Sequence, residues 1–506
     1  MNPQLPKKPA IRPIKTALTA LTAVAAFGSL HAAVYTVQAA KNFQTLEVKI
    51  ELDPGKTATE FQMPAWAPGD YRIIDFGKAL SNVTFKNGDN LVQAEHIGRN
   101  DWKPRSPVTS VSYSVADKDP VVFSDFLRIT KDEYCFDGPA VLGCFVGHTN
   151  EKHTLKIVKT IEGPVVCALD ELESNDKNIA EFTAPNYDVL VDNPVIHSKN
   201  IRIEPFMVYG KPHKIVAFNK SARVDMKSYV DVCTKIVTEG AKMFGGLPYA
   251  HYYFLFDFGG GGGGLEHASC TRIGLDPSPS AVEYTDFIAH EFFHAWNVKR
   301  IRAKPLGPFD YTKPAITGAL WWLEGVTDYY AKILSVRSGI WSRTQFLRSI
   351  SESIASIANV PARKRVSADE CSRRVWEANN SEGYGGMSYY LKGELIGACL
   401  DMAIRSESDG TSSLDDVMRA LYKECSDGKP GFAENRIREL CVVFGGEALG
   451  PLYDECVMKP GDVPIDRYLP KLGFTWDNWK GIVPDPQAPS AALNLGAAWP
   501  GPSRKQ

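Results

Sequence analysis

The chain has 506 residues, 44% of them hydrophobic and 23% charged, with 57 basic side chains against 59 acidic ones for a formal charge of −2. That length asks for two to four packed domains, since single cores stop growing near ~250–300 residues. The composition excludes a disordered chain, a collagen-like repeat and a multi-span membrane protein, and the near-neutral charge argues against a nucleic-acid binder.

Lys7, Lys8, Arg12 and Lys15 precede a stretch, Thr16 to Leu30, that is apolar apart from threonine, serine and glycine. This pattern reads as a secretory signal peptide over residues 1–32, with a retained anchor as the alternative. Its removal takes four positive charges and no negative ones, moving the formal charge from −2 to −6. The expectation is an exported protein, periplasmic or secreted, with no stable membrane association after cleavage.

The ten cysteines include no CxxC pair, so a thiolate zinc ribbon is not indicated. In an oxidising compartment some are expected to pair. Cys135 and Cys144, flanking the turn Phe136-Asp137-Gly138-Pro139, are the best local candidates, whereas Cys399 sits in an apolar helical stretch and reads as a buried small hydrophobe.

From 33 to 183, short runs with two-residue alternation, such as Gln44 to Glu51 and Val108 to Val115, are separated by turn signals at Asn87-Gly88-Asp89 and Pro68-Gly69-Asp70. This predicts an N-terminal β-sandwich. A β-rich patch near Ile201 to Phe218, a helix over Val224 to Phe244 and an aromatic strand, Tyr252 to Phe258, come next. Helical periodicity follows over 281–300 and 318–336. The predicted fold is α+β and multidomain: the sandwich, a catalytic domain over 184–343, a helical domain over 344–480, and a disordered tail over 481–506 suggested by five prolines.

The sharpest motif is His290-Glu291-Phe292-Phe293-His294, in a segment where Tyr284, Ile288, Phe292 and Ala295 form an apolar stripe. Histidines four apart share a helix face, so both imidazoles project toward one point, as a zinc ion requires. Glu291 points beside them, near the ion's open position. Downstream, Trp321 to Tyr330 places Glu324 and Asp328 four apart among aromatics, where a carboxylate needs a partner. Glu324 as third ligand completes a His₂Glu site, and Asp328 can accept the free ring N–H of a ligand histidine.

Phe256-Asp257-Phe258 runs into six glycines, 259–264, and then Leu265-Glu266-His267. The run is read as a cleft edge where an extended peptide adds as a strand, with a flexible linker as the alternative. Tyr390 opens a helical stretch; its phenol can serve as an oxyanion donor or as core. Lys299, Arg300, Arg302 and Lys304 read as a solvated or ion-paired face.

Assembled, these residues resemble the glycyl aminopeptidase family, the sixty-first metallopeptidase family, gluzincins related to thermolysin and aminopeptidase N. The carriers are Trp66 to Tyr71 and Trp102, Gly261 to His267, His290 to Arg302, Leu320 to Tyr330, and Tyr390 to Glu394. The resemblance implies a thermolysin-like catalytic domain, zinc as cofactor on His290, His294 and Glu324, Glu291 as general base and then acid, and peptide substrates with small first residues such as glycine or alanine. Gly263-Gly264-Leu265-Glu266-His267 is similar to the exopeptidase motif of aminopeptidase N, which implies that Glu266 pairs with the substrate's α-ammonium. Tyr390-Leu391-Lys392-Gly393 is similar to its YxKG segment, which implies that Tyr390 is the transition-state donor. His267 stands where aminopeptidase N has asparagine, and Ala303 where the family usually has proline. Family members commonly end in a PDZ domain, and none is expected in the residues after Trp479. The rival readings are a zinc endopeptidase and a non-catalytic metal- or peptide-binding protein.

Overall fold

The computed structural model describes residues 32–116, 126–378, 382–426 and 428–502. The segment read as a signal peptide lies outside them up to residue 31, as do residues 503–506.

The N-terminal part is built on an eight-stranded sheet in the order Asp170–Leu172, Ile179–Ala184, His153–Val158, Ala33–Ala39, Leu46–Leu52, Ser110–Val115, Leu80–Asn87 and Asn90–Val92. Leu46–Leu52 alternates buried and exposed residues along its whole length, so its Leu46, Val48, Ile50 and Leu52 enter the core. They share that core with Phe61, Trp102, Tyr134 and Phe136 from two four-stranded sheets. The sheet-rich part continues past 183: Asn186 caps the short helix Tyr187–Val191, and Val195–Ser198 then pairs antiparallel with Glu133–Phe136.

A five-stranded sheet follows, ordered Arg202–Val208, Lys211–Asn219, Tyr252–Phe258, Cys270–Leu275 and Gly263–Glu266. Gly263–Glu266 is therefore an edge strand, antiparallel to Cys270–Leu275. The helix Met226–Phe244 begins at the Asp225 cap and ends at Gly245 in the left-handed region. Its Tyr229, Val232, Ile236 and Val237 pack in one core with Phe254, Phe256 and Phe292.

Helices dominate the rest, chiefly Arg343–Ala358, Tyr389–Glu407, Leu414–Cys425 and Arg436–Gly445. No helix among the described residues is long and apolar enough to cross a membrane.

Two expectations are corrected. The tail is ordered through residue 502: Phe474–Asp477 and Gly481–Pro484 form a hairpin, and Ser490–Ala498 is a helix. The anchor is Trp499, fully buried, whose ring packs on Phe346 at 5.0 Å and whose indole N–H donates to Tyr329 at 2.9 Å. Pro489, just before that helix, marks its start rather than disorder. Nor do the cysteines pair: all ten are free and buried. Cys135 faces the Arg272 guanidinium, while Cys144 joins the sandwich core. Cys399 is wholly buried in the helical lobe.

Candidate metal centre and active site

The motif lies on the helix Thr285–Phe293, introduced by the turn Ala281–Tyr284 that Ser280 caps. Ile288, Phe292 and Ala295 are fully buried against the sheet, as the stripe demanded. The helix closes at His294 rather than running to 300. Asn297 organises the exit: its side chain donates to the Trp322 carbonyl at 2.9 Å and the Thr327 hydroxyl at 3.0 Å, while its own carbonyl accepts from His294 Nδ1 at 2.5 Å.

Glu324 sits in a π-helical turn, Trp321–Gly325, that leads into the helix Val326–Arg337. Such widened turns displace a side chain from its α-helical position and recur at functional sites. A close crossing holds the turn in place. A Cβ on Gly325 would lie 2.5 Å from the Gly393 Cα, and one on Gly393 would lie 2.2 Å from the Trp321 carbonyl. The two glycines thus let the helix Tyr389–Glu407 press against the turn and bring the Tyr390 ring to 6.1 Å from His290.

His290, His294 and Glu324 converge, their ligand atoms all within 4.8 Å of one another. The two Nε2 atoms are 3.0 Å apart, and Glu324 Oε2 lies 3.7 Å from His290 and 3.2 Å from His294. Donors at roughly 2.1 Å around a tetrahedral ion would stand roughly 3.4 Å apart. Protonation supports the fit. A carbonyl only accepts, so His294 must donate through Nδ1 to Asn297, and His290 Nδ1 faces Asp328 Oδ1 at 2.7 Å. Both Nε2 atoms then meet each other and a buried carboxylate, and against burial, which lowers them, Asp328 at His290 and Glu324 at His294 hold the imidazoles above their ordinary pKa, so the site gathers positive charge.

Glu291 is buried beside them, and burial pushes its carboxyl up to about 7 against the opposing pull of the two imidazoles. A Cβ on Gly264 would stand 2.1 Å from Glu291 Oε1, so the bare backbone of the edge strand makes room for this carboxylate. Gly264→Ala is accordingly expected to keep metal while lowering kcat by about 10²-fold, the effect of displacing a reacting group by about 1 Å. Steady-state kinetics with metal analysis checks it.

One cavity of ≈ 370 Å³ is lined by every residue given a catalytic, metal-ligating or substrate-binding role in the sequence analysis, Gly263, Gly264, Glu266, His290, Glu291, His294, Glu324, Asp328 and Tyr390, with Gly69, Phe287, Glu382 and Ser388. Burial, with Glu324 nearby, holds the Tyr390 phenol well above its ordinary pKa, so it stays a donor. The glycine run leads into the edge strand on this cavity, which favours the cleft-edge reading over a linker.

Sequence reasoning gave no role to several neighbours. Tyr71, from the sheet-rich part, donates to Glu324 Oε1 at 3.1 Å. Gly69, at φ +96°, touches Glu266: a Cβ there would stand 2.8 Å from its Oε2. Both belong to the Trp66–Tyr71 block that carried the resemblance. Of the basic run, Lys299 is buried against Asp192 at 2.9 Å, and Arg300 donates to the carbonyls of Pro248, Ala268 and Ala295. Lys299 thus meets the ion-paired half of the reading, while Arg300 spends its donors on backbone carbonyls.

Residues 283–396 match the model of the M61 glycyl aminopeptidase, and residues 34–199 match the Peptidase M61 N-terminal domain, together more than half of the chain. The chain belongs to the M61 glycyl aminopeptidase family. Among solved structures, this M61 chain is similar to an aminopeptidase N family protein from Idiomarina loihiensis, with a TM-score of 0.80, 24% identity, and 88% of this chain and 78% of that one covered. Yeast LTA4 hydrolase matches with a TM-score of 0.54, 13% identity, and 85% and 68% covered. An M1 zinc metallopeptidase from Deinococcus radiodurans matches with a TM-score of 0.54, 11% identity, and 84% and 92% covered. At these identities the likeness bears on the fold: mixed α and β, with a sheet-rich N-terminal part and a helical C-terminal region. No curated protein matches the sequence.

Proposed function

We propose that this peptidase is an exported zinc aminopeptidase that removes the first residue of peptides with a free N-terminus, with small first residues preferred. The observation that carries the reading is the placement of Glu266, a buried carboxylate at the end of an edge strand, in the same cavity as His290, His294 and Glu324. A fixed negative charge in the cavity that holds the ligand triad suits an α-ammonium, and an endopeptidase has no use for it. The preference for glycine or alanine rests on family membership, and export rests on the charged-then-apolar N-terminal segment.

His290, His294 and Glu324 would hold the zinc, which when bound supplies Lewis acidity toward a carbonyl and lowers the pKa of water. Asp328 and Asn297 take up Nδ1 of the two imidazoles, leaving Nε2 of each to face the ion. Glu291, with a carboxyl raised by burial toward neutrality, takes a proton from the attacking water and returns it to the leaving amine. Tyr390 donates its phenolic hydrogen to the carbonyl oxygen as negative charge develops there. The free edge of Gly263–Glu266 offers backbone groups to an extended substrate, while Glu266 receives the ammonium.

Comparing glycyl and alanyl anilides with their N-acetylated forms tests the assignment. Acetylation is expected to lower kcat/KM by about 10²-fold or more, since it removes the charge that pairs with a buried carboxylate. Equal cleavage of both forms would make the protein an endopeptidase.

A further inference from the structure

Behind the cavity, Glu266 belongs to a buried cluster that no other part of the site explains. Lys299, in the turn that leaves the motif helix, sends its ammonium to within 2.9 Å of Asp192 Oδ1 and 3.9 Å of Glu266 Oε1, and its side chain is 8% exposed. Its backbone N–H donates to the His294 carbonyl, so the lysine is tied to a metal ligand's own turn. Asp192 follows the short helix Tyr187–Val191 of the sheet-rich part. It also accepts from the Ala268 N–H at 2.8 Å and stands 3.3 Å from His267 Nδ1. One carboxylate from the N-terminal part thereby grips both the lysine and the strand exit just past Glu266.

The charges in this cluster can be counted. Asp192 and Glu266 supply two carboxylates against the single ammonium of Lys299, one carboxylate in excess, with the Glu266 side chain 6% and the Asp192 side chain 19% exposed. An arriving α-ammonium cancels it; an acetylated terminus does not. Without Lys299 the two carboxylates would face each other with no cation between them, and their repulsion would push Glu266 from its place. Burial by itself lowers the pKa of Lys299, but Asp192 and Glu266 more than offset this and keep the ammonium charged.

We propose that Lys299, held by Asp192, is a positioning residue that sets the net charge of the ammonium subsite at minus one and fixes Glu266 within it, making the sheet-rich part a contributor to the preference for free N-termini. This rests on the reading of Glu266 given above.

The test measures kcat and KM for glycyl anilide and its N-acetyl form in Lys299→Met, Asp192→Asn, the Lys299→Met/Asp192→Asn double variant and Glu266→Gln, with zinc content and Tm recorded for each. Lys299→Met is expected to raise KM for the free amine by about ten-fold or more, as losing a charged partner does, with kcat changed less and the free-amine preference falling in proportion. Asp192→Asn is expected to raise KM as well, because Lys299 then neutralises Glu266 in the amine's place. The double variant restores the count to minus one and is expected to recover most of the lost KM, with the changes confined to the free amine, whereas a purely structural role would move KM for the free amine and its N-acetyl form alike. An unchanged KM in Lys299→Met, or additive losses in the double variant, overturns the proposal. Should Lys299→Met fail to fold, the double variant decides alone: a KM near wild type supports the charge count, and a ten-fold rise overturns it. Glu266→Gln separates the two readings. If it leaves the free-amine preference intact, the assignment of Glu266 itself falls; if it abolishes the preference while Lys299→Met does not, only the role of Lys299 falls.

Discussion

Glu291→Gln is expected to bind zinc as the unaltered chain does and to lose about 10²–10⁴-fold in kcat, the range that a positioned general base supplies. Glutamine keeps the shape of the side chain, and Glu291 is absent from the converging ligand set His290, His294 and Glu324, so metal content should not change. What disappears is the capacity to accept a proton, which in this environment is tuned toward neutral pH by burial. Thr271 Oγ1, 3.5 Å from Glu291 Oε2, is a neutral hydroxyl and no substitute for the base. Stopped assays on glycyl anilide, with metal content measured in parallel, give the answer; near-normal turnover by Glu291→Gln would remove the glutamate from the mechanism.

Removing the ion has the second large effect. Chelation should abolish cleavage and lower Tm, with zinc restoring both, because the metal-free site leaves two imidazoles and a carboxylate crowded in a buried space with no ion to hold them together. An ion held a thousand-fold above its dissociation constant contributes about 4 kcal/mol to folding stability. Asp328→Asn probes the same site more gently. It weakens the hydrogen bond that fixes His290, and a loss of about 10–100-fold in zinc affinity is expected, measurable by competition with a chromogenic chelator. If Asp328→Asn bound zinc as tightly as the unaltered chain, that hydrogen bond would have no part in holding the ligand.

Much of the site was legible because its chemistry is local in sequence. Histidines four apart on a helix, and a carboxylate among tryptophans, constrain what they can do before any fold is known. The edge strand Gly263–Glu266 was foreshadowed by glycines that leave no side chain between the backbone and the cavity. Other parts were hidden for physical reasons. Asn297 fixes His294 through its backbone carbonyl, an atom every residue has. Tyr71 reaches Glu324 across 253 positions, and Asp192 reaches Lys299 across 107, distances over which no periodicity speaks. The π-helical turn at Trp321–Gly325 shifts Glu324 in a way that an α-helical wheel does not show.

The overall architecture followed a similar division. Alternation along Leu46–Leu52 and the aromatic strand Tyr252–Phe258 announced their sheets, since burial of one or both faces writes itself into the pattern. The C-terminal segment misled because proline content was weighed without Trp499. That tryptophan fills a slot between Phe346, Phe474 and Tyr329 that only the assembled helical lobe provides. The cysteines misled too: proximity of Cys135 and Cys144 in sequence does not survive the fold, which assigns them to different packing clusters.

X-ray absorption at the zinc edge on the purified chain tests the central claim most directly. One ion per chain is expected, with two imidazole nitrogens and one carboxylate at roughly 2.0–2.2 Å, and loss of that signature in Glu324→Ala. A sulfur-rich shell, or a zinc signal indifferent to Glu324→Ala, would contradict it.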